Sequence, residues 1–365
     1  MTSSSPAGLA TPPPERLSAA INPQIDVVSH YKNLIATDPS ITPAIAAIES
    51  LVAALTAQPL TTITETLTLL STTSTTLLAS RNNPIPLSAG TELLQRYIIT
   101  SFQNNTNTTS ADFSSLRRQL IQNSKLFISR TKSARSKIAQ HALPFIRDDA
   151  TTVITYGSSR VIDAILSLAA ESRRYFHVIF VNPSSGQEPS DSPFSQSTNR
   201  LLSLGIPVAT VPLAALSHTI ASIRPSNART TSSNLILLLG AEAVLENGAA
   251  ISNIGSRLVS AIAHDASIPV YFAVESYKFT RQFPLNYGDS DLQKMGAKQS
   301  VLKFRTSLEE DEKSEMSFGV RAEKASAEGD GTVDITPPEL INALITENGT
   351  ITADAVAEEL IKLWF

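Results

Sequence analysis

The stretch NLILLLGAEAVLENGAAISNIGS, Asn234 to Ser256, decides the fold class of this chain. Its apolar run, Leu235 to Leu239, ends at a glycine and is followed by Glu242, an Asn-Gly pair and an Asn-Ile-Gly-Ser segment that opens a helical pattern. Continuous apolar runs are typical of strands buried on both faces. In open α/β sheets, ligands bind just beyond the carboxyl ends of such strands. We therefore predict a buried parallel strand with a functional loop after it.

Four further short apolar runs follow the same plan in the second half of the chain. Helical patterns separate them, and strands that alternate with helices predict right-handed crossovers around a parallel sheet. The runs are Thr152 to Thr155, His177 to Val181, Pro207 to Val211 and Pro269 to Val274. We assign residues 146–365 to a Rossmann-like α/β domain. It lacks the G-x-G-x-x-G turn of a dinucleotide site, so no nicotinamide cofactor is expected.

The first half of the chain has a helical pattern instead. Thr42-Pro43 resembles an N-cap followed by proline at the first helical position, and apolar residues then recur with helical spacing. We therefore predict an all-helical domain over residues 23–145. Residues 1–22 are rich in Ser, Thr and Pro and are expected to be disordered.

The α/β domain carries two polar interruptions, near 183–199 and 305–331, which we expect to be mobile insertions. Beyond the second, Thr336-Pro-Pro-Glu339 fits a capping box, so the chain is expected to close with helices. The last of these helices starts near Thr352.

Composition limits the functional classes. The 365 residues carry a net charge of -4 and the pI is about 5.8, so whole-chain charge attracts neither nucleic acid nor an anionic membrane. No apolar run is long enough to cross a bilayer and no signal segment is evident, which predicts a cytosolic protein. The chain has no cysteine, which excludes disulfides, thiolate metal sites and a cysteine nucleophile. Its five histidines match no metal-ligand spacing, so no metal is expected.

Polar side chains follow three of the predicted strands. After the first strand come Ser158, Ser159 and Arg160, at the start of a predicted helix. Free backbone amides at a helix start and a guanidinium group both bind phosphate, so these residues are candidate phosphate ligands. Alternatively, Ser159 only caps the helix and Arg160 is exposed, and the other polar groups form turns and caps. Those other groups, after the fourth and fifth strands, are Glu242, Asn247, Asn253, Gly255, Glu275 and Lys278. If the strands are neighbours, all three clusters converge on one crevice.

Several long motifs carry a family resemblance. GAEAVLENGAAISNIGS, then VESYKF and FPLN, then TADAVAEELIKLWF resemble the alpha-subunit family of translation initiation factor 2B, a guanine-nucleotide exchange factor. The resemblance extends from LSAGTELLQRYI to the terminus and leaves out the first 20 or so residues and the two insertions. The wider family includes isomerases of methylthioribose 1-phosphate and ribose 1,5-bisphosphate.

The resemblance implies that the catalytic machinery of the isomerases is missing. Their catalytic cysteine corresponds to Gly157 here and their catalytic aspartate to Glu242, while Ser252-Asn253 and Asn182-Pro183 replace two other family motifs. Loss of one proton-transfer group typically costs on the order of 100- to 10,000-fold in rate. We therefore expect no catalytic residue and no cofactor, but a vestigial pocket that accepts a sugar phosphate or nucleotide monophosphate. An active isomerase that uses Glu242 is the alternative.

The resemblance further implies partners. They are a second copy of the chain in a homodimer, the other subunits of the exchange factor, especially beta and delta, and the phosphorylated alpha subunit of initiation factor 2, through which translation is restrained under stress. Two surfaces are compatible with this. The apolar C-terminal residues Leu360, Leu363, Trp364 and Phe365 suit a dimer interface or, alternatively, pack inside their own domain.

A basic run on the fourth predicted helix suits a phosphorylated partner or is, alternatively, a solvated helix face. We define this basic run as Arg117, Arg118, Lys125, Arg130 and Arg135.

Overall fold

The computed structural model contains the two predicted parts, a helical region followed by a mostly parallel sheet covered by helices. It describes residues 25–38, 41–58, 60, 62–103, 118, 122, 128–129, 133–148, 151–183, 192–223, 234–299, 301–302 and 332–364. The predicted disordered segment 1–22 and the second insertion, 305–331, lie outside these residues.

The helices are α1 (Val27–Thr37), α2 (Pro43–Ala57), α3 (Ile63–Ala79), α4 (Ile85–Gln103), α5 (133–142), α6 (Arg160–Glu171), α7 (Pro193–Ser203), α8 (Leu216–Ile223), α9 (Ser256–Asp265), α10 (Asp289–Lys294) and α11 (Val356–Trp364). The strands are β1 (Thr151–Tyr156), β2 (His177–Asn182), β3 (Val208–Pro212), β4 (Asn234–Gly240), β5 (Ala243–Val244), β6 (Ala250–Asn253), β7 (Val270–Ala273), β8 (Val333–Thr336), β9 (Ala343–Thr346) and β10 (Gly349–Ile351).

The helical domain is built around α2. The Thr42 hydroxyl accepts a hydrogen bond from the Ile45 amide at 3.4 Å, and Pro43 fills the first turn, as predicted. Because α2 is rich in alanine and apolar on most sides, α1, α3 and α4 all pack against it. The threonine-rich α3 begins with a capping box between Thr62 and Glu65, which offsets its low helix propensity.

The main sheet has seven strands in the order β10-β9-β7-β4-β1-β2-β3. Every neighbouring pair is parallel except β9 and β10. The quoted run Leu235 to Leu239 is buried in β4, the central strand, with one apolar cluster on each face of the sheet. The Rossmann-like prediction is therefore confirmed, and the carboxyl ends of β1, β4 and β7 lie side by side.

A second, three-stranded antiparallel sheet, β5-β6-β8, lies beyond the end of β4. The Glu242 amide donates to the Ile251 carbonyl at 2.8 Å, so this small sheet holds the loop after β4 in place. Its own apolar cluster also contains Ile85 from the start of α4. The helical domain therefore packs directly against the loops at the strand ends.

Two sequence expectations differ from the structure. The predicted helix after Thr336 is absent from the described residues 332–364: Thr336 ends β8, and only a single turn, Pro338–Leu340, precedes β9 and β10. The apolar side chains that follow this turn enter the core of the main sheet instead. A β-hairpin therefore precedes the last helix. The second half of the first predicted insertion is the start of α7, where Ser192 caps the helix and Pro193 occupies its first turn.

The helix α5 connects the two domains and contributes to both cores. Ala134 belongs to the apolar cluster of the helical domain. Ile138, Ala139 and Ala142 belong to a cluster on one face of the sheet. The predicted boundary between 145 and 146 therefore follows a helix that the two domains share. No helix in the described part of the chain has the length and apolarity needed to span a bilayer.

Candidate functional site

A pocket of about 180 Å³ lies over the carboxyl ends of β1, β4 and β7, and residues of the helical domain form part of its wall. We call it the strand-end pocket. It is lined by Thr42, Pro43, Ala44, Pro86, Arg135, Tyr156, Ser158, Ser159, Arg160, Val161, Gly240, Ala241, Glu242, Ser252, Asn253, Glu275 and Lys278. The three polar clusters that follow β1, β4 and β7 thus converge on one crevice.

The turn after β1 brings the start of α6 to the pocket. Gly157 has φ +66°, in the left-handed region that favours glycine, and its amide donates to the Val181 carbonyl of β2 at 3.1 Å. Ser159 occupies the N-cap position but makes no side-chain capping hydrogen bond. Its hydroxyl instead packs against Gly240, where an added Cβ would lie only 2.2 Å from the Ser159 Oγ. The interpretation of Ser159 as a simple helix cap is therefore not supported.

Arg160 joins the two domains instead of pointing into solvent. Its Nη1 donates to the Ile41 carbonyl, just before α2, at 2.6 Å. Arg160 therefore forms part of the pocket wall while it holds the helical domain against the sheet.

Glu242 is recessed in the opposite wall, with its side chain partly accessible from the cavity. The Nδ2 of Asn83, just before α4, donates to the Glu242 Oε2 at 2.8 Å. Burial raises the pKa of Glu242, and the hydrogen bond from Asn83 and the charges of Lys278 and Arg81 oppose that rise without cancelling it. Protonation of this carboxyl is therefore easier than for an ordinary glutamate.

Glu275 is a second carboxylate in the pocket, and it is fully buried. The Lys278 Nζ lies 2.8 Å from its Oε2, and the Arg135 Nε of α5 lies 3.3 Å from its Oε1. Burial alone would raise the pKa of Glu275, but these two cations outweigh it and lower the pKa to about 2. Lys278 also donates to the Ala241 carbonyl at 3.0 Å, which ties the loops after β4 and β7 together.

Two predicted ligand residues do not line the pocket. The Asn247 side chain donates to the Tyr287 hydroxyl at 3.0 Å and accepts from the Ala249 amide, so it stabilises its own turn. Gly255 has φ +104° at the start of α9, and its amide donates to Asp334 at 2.7 Å. An added Cβ there would lie 2.3 Å from the Tyr156 hydroxyl. Gly255 thus leaves room for the pocket residue Tyr156, which donates to the Ile254 carbonyl.

The predicted interface residues have mixed positions. Leu360 is 3% exposed and packs in the core of its own domain, whereas nothing is described of the side chains of Leu363, Trp364 and Phe365. Of the basic run, Arg117, Lys125 and Arg130 lie outside the described residues, and the Arg118 side chain is exposed. Arg135 is paired with Glu275, so it is a pocket residue and not part of a free helix face.

Sequence reasoning missed the contribution of the helical domain to the site. Asn83, Thr42 and Arg135 reach the pocket region from elements that precede the sheet, and the Thr42 hydroxyl lies 3.2 Å from the Tyr277 hydroxyl. A cation beside Glu275 was foreseeable, because a buried carboxylate needs a partner. The sequence did not indicate which cation this would be.

Guanidinium, ammonium, hydroxyl and amide groups line the pocket together with the carboxylates of Glu242 and Glu275. The cationic groups and N–H donors are of the kind that bind anions, and the chain has no cysteine to act as a nucleophile or acid. Within the described residues, no group of three or more His, Asp or Glu side chains is placed to hold a metal ion.

Comparison with known proteins gives the same family at the level of sequence and fold. The model of the initiation factor 2 subunit family matches residues 36–353. Translation initiation factor eIF2B subunit alpha of Dictyostelium discoideum is 31% identical over 253 residues, which cover 69% of this chain and 71% of the relative. The subunit of the same name from Caenorhabditis elegans is 26% identical over 341 residues, which cover 93% of this chain and 99% of the relative.

Among solved structures, the tetrameric eIF2B-beta2-delta2 complex from C. thermophilum contains a chain of the same fold. The TM-score is 0.66 at 18% identity, with 92% of this chain and 95% of that chain covered. The family model and the relatives together confirm the resemblance drawn from the motifs around Gly240 and the C-terminal helix. The chain belongs to the initiation factor 2 subunit family.

Proposed function

We propose that this chain is a non-catalytic regulatory subunit of the guanine-nucleotide exchange factor for translation initiation factor 2, acting in the cytoplasm in the control of translation initiation. The observation that carries the proposal is the family match, which runs through the helical domain and nearly all of the α/β domain. Of the two relatives that bear the name eIF2B subunit alpha, the one from Caenorhabditis elegans extends it to 93% of the chain.

The residues of the strand-end pocket support a non-catalytic role. Aldose–ketose isomerisation needs positioned proton-transfer groups. Gly157 has no side chain where the family resemblance implies a thiol, and Glu242 is engaged by Asn83 where it implies an aspartate. A carboxylate that sits one carbon–carbon bond further out and is held by an amide is poorly placed for that chemistry.

We propose that the chain acts as a homodimer that joins the beta and delta subunits in a larger assembly. Light scattering during size-exclusion chromatography tests this directly, with the chain alone and mixed with these subunits. We expect a dimer that enters a larger complex. A chain that ignores the beta and delta subunits would contradict the regulatory role. Deletion of Trp364-Phe365 is the interface test, and an unchanged dimer would remove these residues from it.

We further propose that the helical domain helps sense the phosphorylated alpha subunit of initiation factor 2. Reversal of Arg117, Arg118 and Lys125 to glutamate should reduce discrimination between the phosphorylated and unphosphorylated partner in a binding assay. The matched control reverses three exposed charges of the α/β domain, Arg173, Arg200 and Arg257. Equal discrimination in both variants would contradict the proposed role of the basic run.

A second candidate role for the strand-end pocket is binding of a sugar phosphate or nucleotide monophosphate. It is favoured by the three cationic side chains that line the pocket, Arg135, Arg160 and Lys278. A ligand that binds only the folded state should raise the thermal unfolding temperature further as its concentration increases above its dissociation constant. Turnover of ribose 1,5-bisphosphate or methylthioribose 1-phosphate that is lost in Glu242→Gln would instead favour the isomerase alternative.

A further inference from the structure

The strand-end pocket holds two carboxylates whose surroundings differ. Glu275 lies between Lys278 and Arg135, which lower its pKa to about 2, so it is ionised at neutral pH. Glu242 has a neutral amide as its hydrogen-bond partner, through Oε2, and its side chain is partly accessible from the cavity. One carboxylate is therefore a fixed charge, and the other is free to take up a proton.

The charges that line the pocket make the protonation state of Glu242 important to a ligand. Arg135, Arg160 and Lys278 bring positive charge to the pocket, and Glu242 and Glu275 bring negative charge. An ionised Glu242 repels a bound dianion, so neutralising this carboxyl removes a repulsive charge from the wall that the dianion faces.

We propose that Glu242 couples anion binding in the strand-end pocket to proton uptake, so that a doubly charged oxyanion enters together with one proton on the Glu242 carboxyl. This inference rests on the proposed ligand-binding role of the pocket and deepens it. The proton comes from the solvent, and the Glu242 oxygen that does not accept from Asn83 is then able to donate a hydrogen bond to the oxyanion. A phosphate-type dianion is thereby preferred over an uncharged sugar.

Other charged groups near Glu242 need to be separated from its effect. Lys278 and Arg81 act on it electrostatically, and both lower its pKa. None of the five histidines is among the residues that line the pocket. Asp334 is the rival, because burial raises its pKa to about 6 and it lies close enough to raise the pKa of Tyr156. Its carboxylate, however, accepts from the Gly255 and Arg257 amides at the start of α9.

Sulfate is the appropriate probe, since it stays a dianion across the working pH range while phosphate itself titrates. Isothermal titration of the full-length chain with sulfate, at constant ionic strength and in buffers of different ionisation enthalpy, reports both affinity and protons taken up. We expect uptake of about one proton and an affinity that falls about tenfold for each pH unit in the range where Glu242 is ionised. The isosteric variant Glu242→Gln should bind sulfate at high pH as the wild type does at low pH, without proton uptake.

Each other outcome overturns the inference in an identifiable way. If Glu242→Gln keeps the wild-type pH slope, a different group such as Asp334 is the one that titrates, and Asp334→Asn would then abolish the slope. A flat wild-type profile removes the proton linkage while it keeps the ligand pocket. Absence of sulfate binding in both proteins overturns the linkage and the ligand pocket together. Assembly with the beta and delta subunits is measured separately, so the regulatory role has its own test.

Discussion

The loops after β4 and β7 present the same type of side chain to the same pocket, yet the two glutamates have opposite properties. Glu275 has two cations within ion-pair distance and a lowered pKa, whereas Glu242 has one amide and a raised pKa. Burial penalises the charged form at both positions. The difference teaches that the number of close cations, and not depth in the protein, decides which carboxylate keeps its charge.

The largest effect on stability should come from a substitution at Glu275, the carboxylate that stays ionised. Glu275→Gln preserves the shape of the side chain but leaves Lys278 and Arg135 without their counterion, so we expect a loss of about 3 kcal/mol in the free energy of unfolding. Urea denaturation at pH 7 measures it. The matched control is Glu242→Gln, the same chemical change at the other loop. Equal effects of the two substitutions would remove the contrast between the loops.

Acidification should give a smaller effect with a definite sign. The pKa of Glu275 is about 2 in the folded protein and 4.5 as its reference value, so its stabilising contribution is complete above pH 4.5 and is lost as the pH falls towards 2. Between pH 7 and pH 3 the stability difference between the wild type and Glu275→Gln should shrink by about 2 kcal/mol. The measurement is urea denaturation of both proteins at each pH. A constant difference would show that Glu275 is not held ionised by its partners.

The smallest effect should be a gain in stability when Glu242 is replaced by glutamine. Without a bound anion, Glu242→Gln removes an unfavourable buried charge above the raised pKa of Glu242 and should stabilise the protein by about 1 kcal/mol at pH 8. The gain should disappear at low pH, where the wild-type carboxyl is itself protonated. Thermal unfolding of both proteins over a series of pH values from pH 8 downwards tests this. A loss of stability at pH 8 would mean that Glu242 is stabilised as an anion.

The main sheet could be predicted from the sequence because the patterns that indicate it are local. The continuous apolar run of β4 indicates burial on both faces, and the polar residues after β1, β4 and β7 follow their strands directly. The small sheet was not accessible, since its strands are only two to four residues long and carry no period. The capping-box pattern at Thr336 failed because residues such as Leu344 and Ile345 gain more from the sheet core than from a helix.

The partners within the pocket were not accessible from sequence either. Asn83 and Glu242 are 159 residues apart, Arg135 and Glu275 are 140 apart, and Ile41 and Arg160 are 119 apart. Each pair spans the two domains, and no local rule links such positions. Arg135 illustrates the consequence, because its place in the basic run predicted a partner-binding role whereas the fold uses it as the counterion of a buried glutamate.

The shared helix α5 determines how the protein can be divided. A fragment that ends before residue 133 removes Ala134 from the helical core, and one that keeps α5 with the helical domain strips Ile138 and Ala142 from the sheet. A truncation on either side of α5 therefore leaves one of the two hydrophobic cores incomplete. The two parts are therefore expected to melt as one cooperative unit, and hydrogen exchange of the α5 amides should report the global free energy of unfolding.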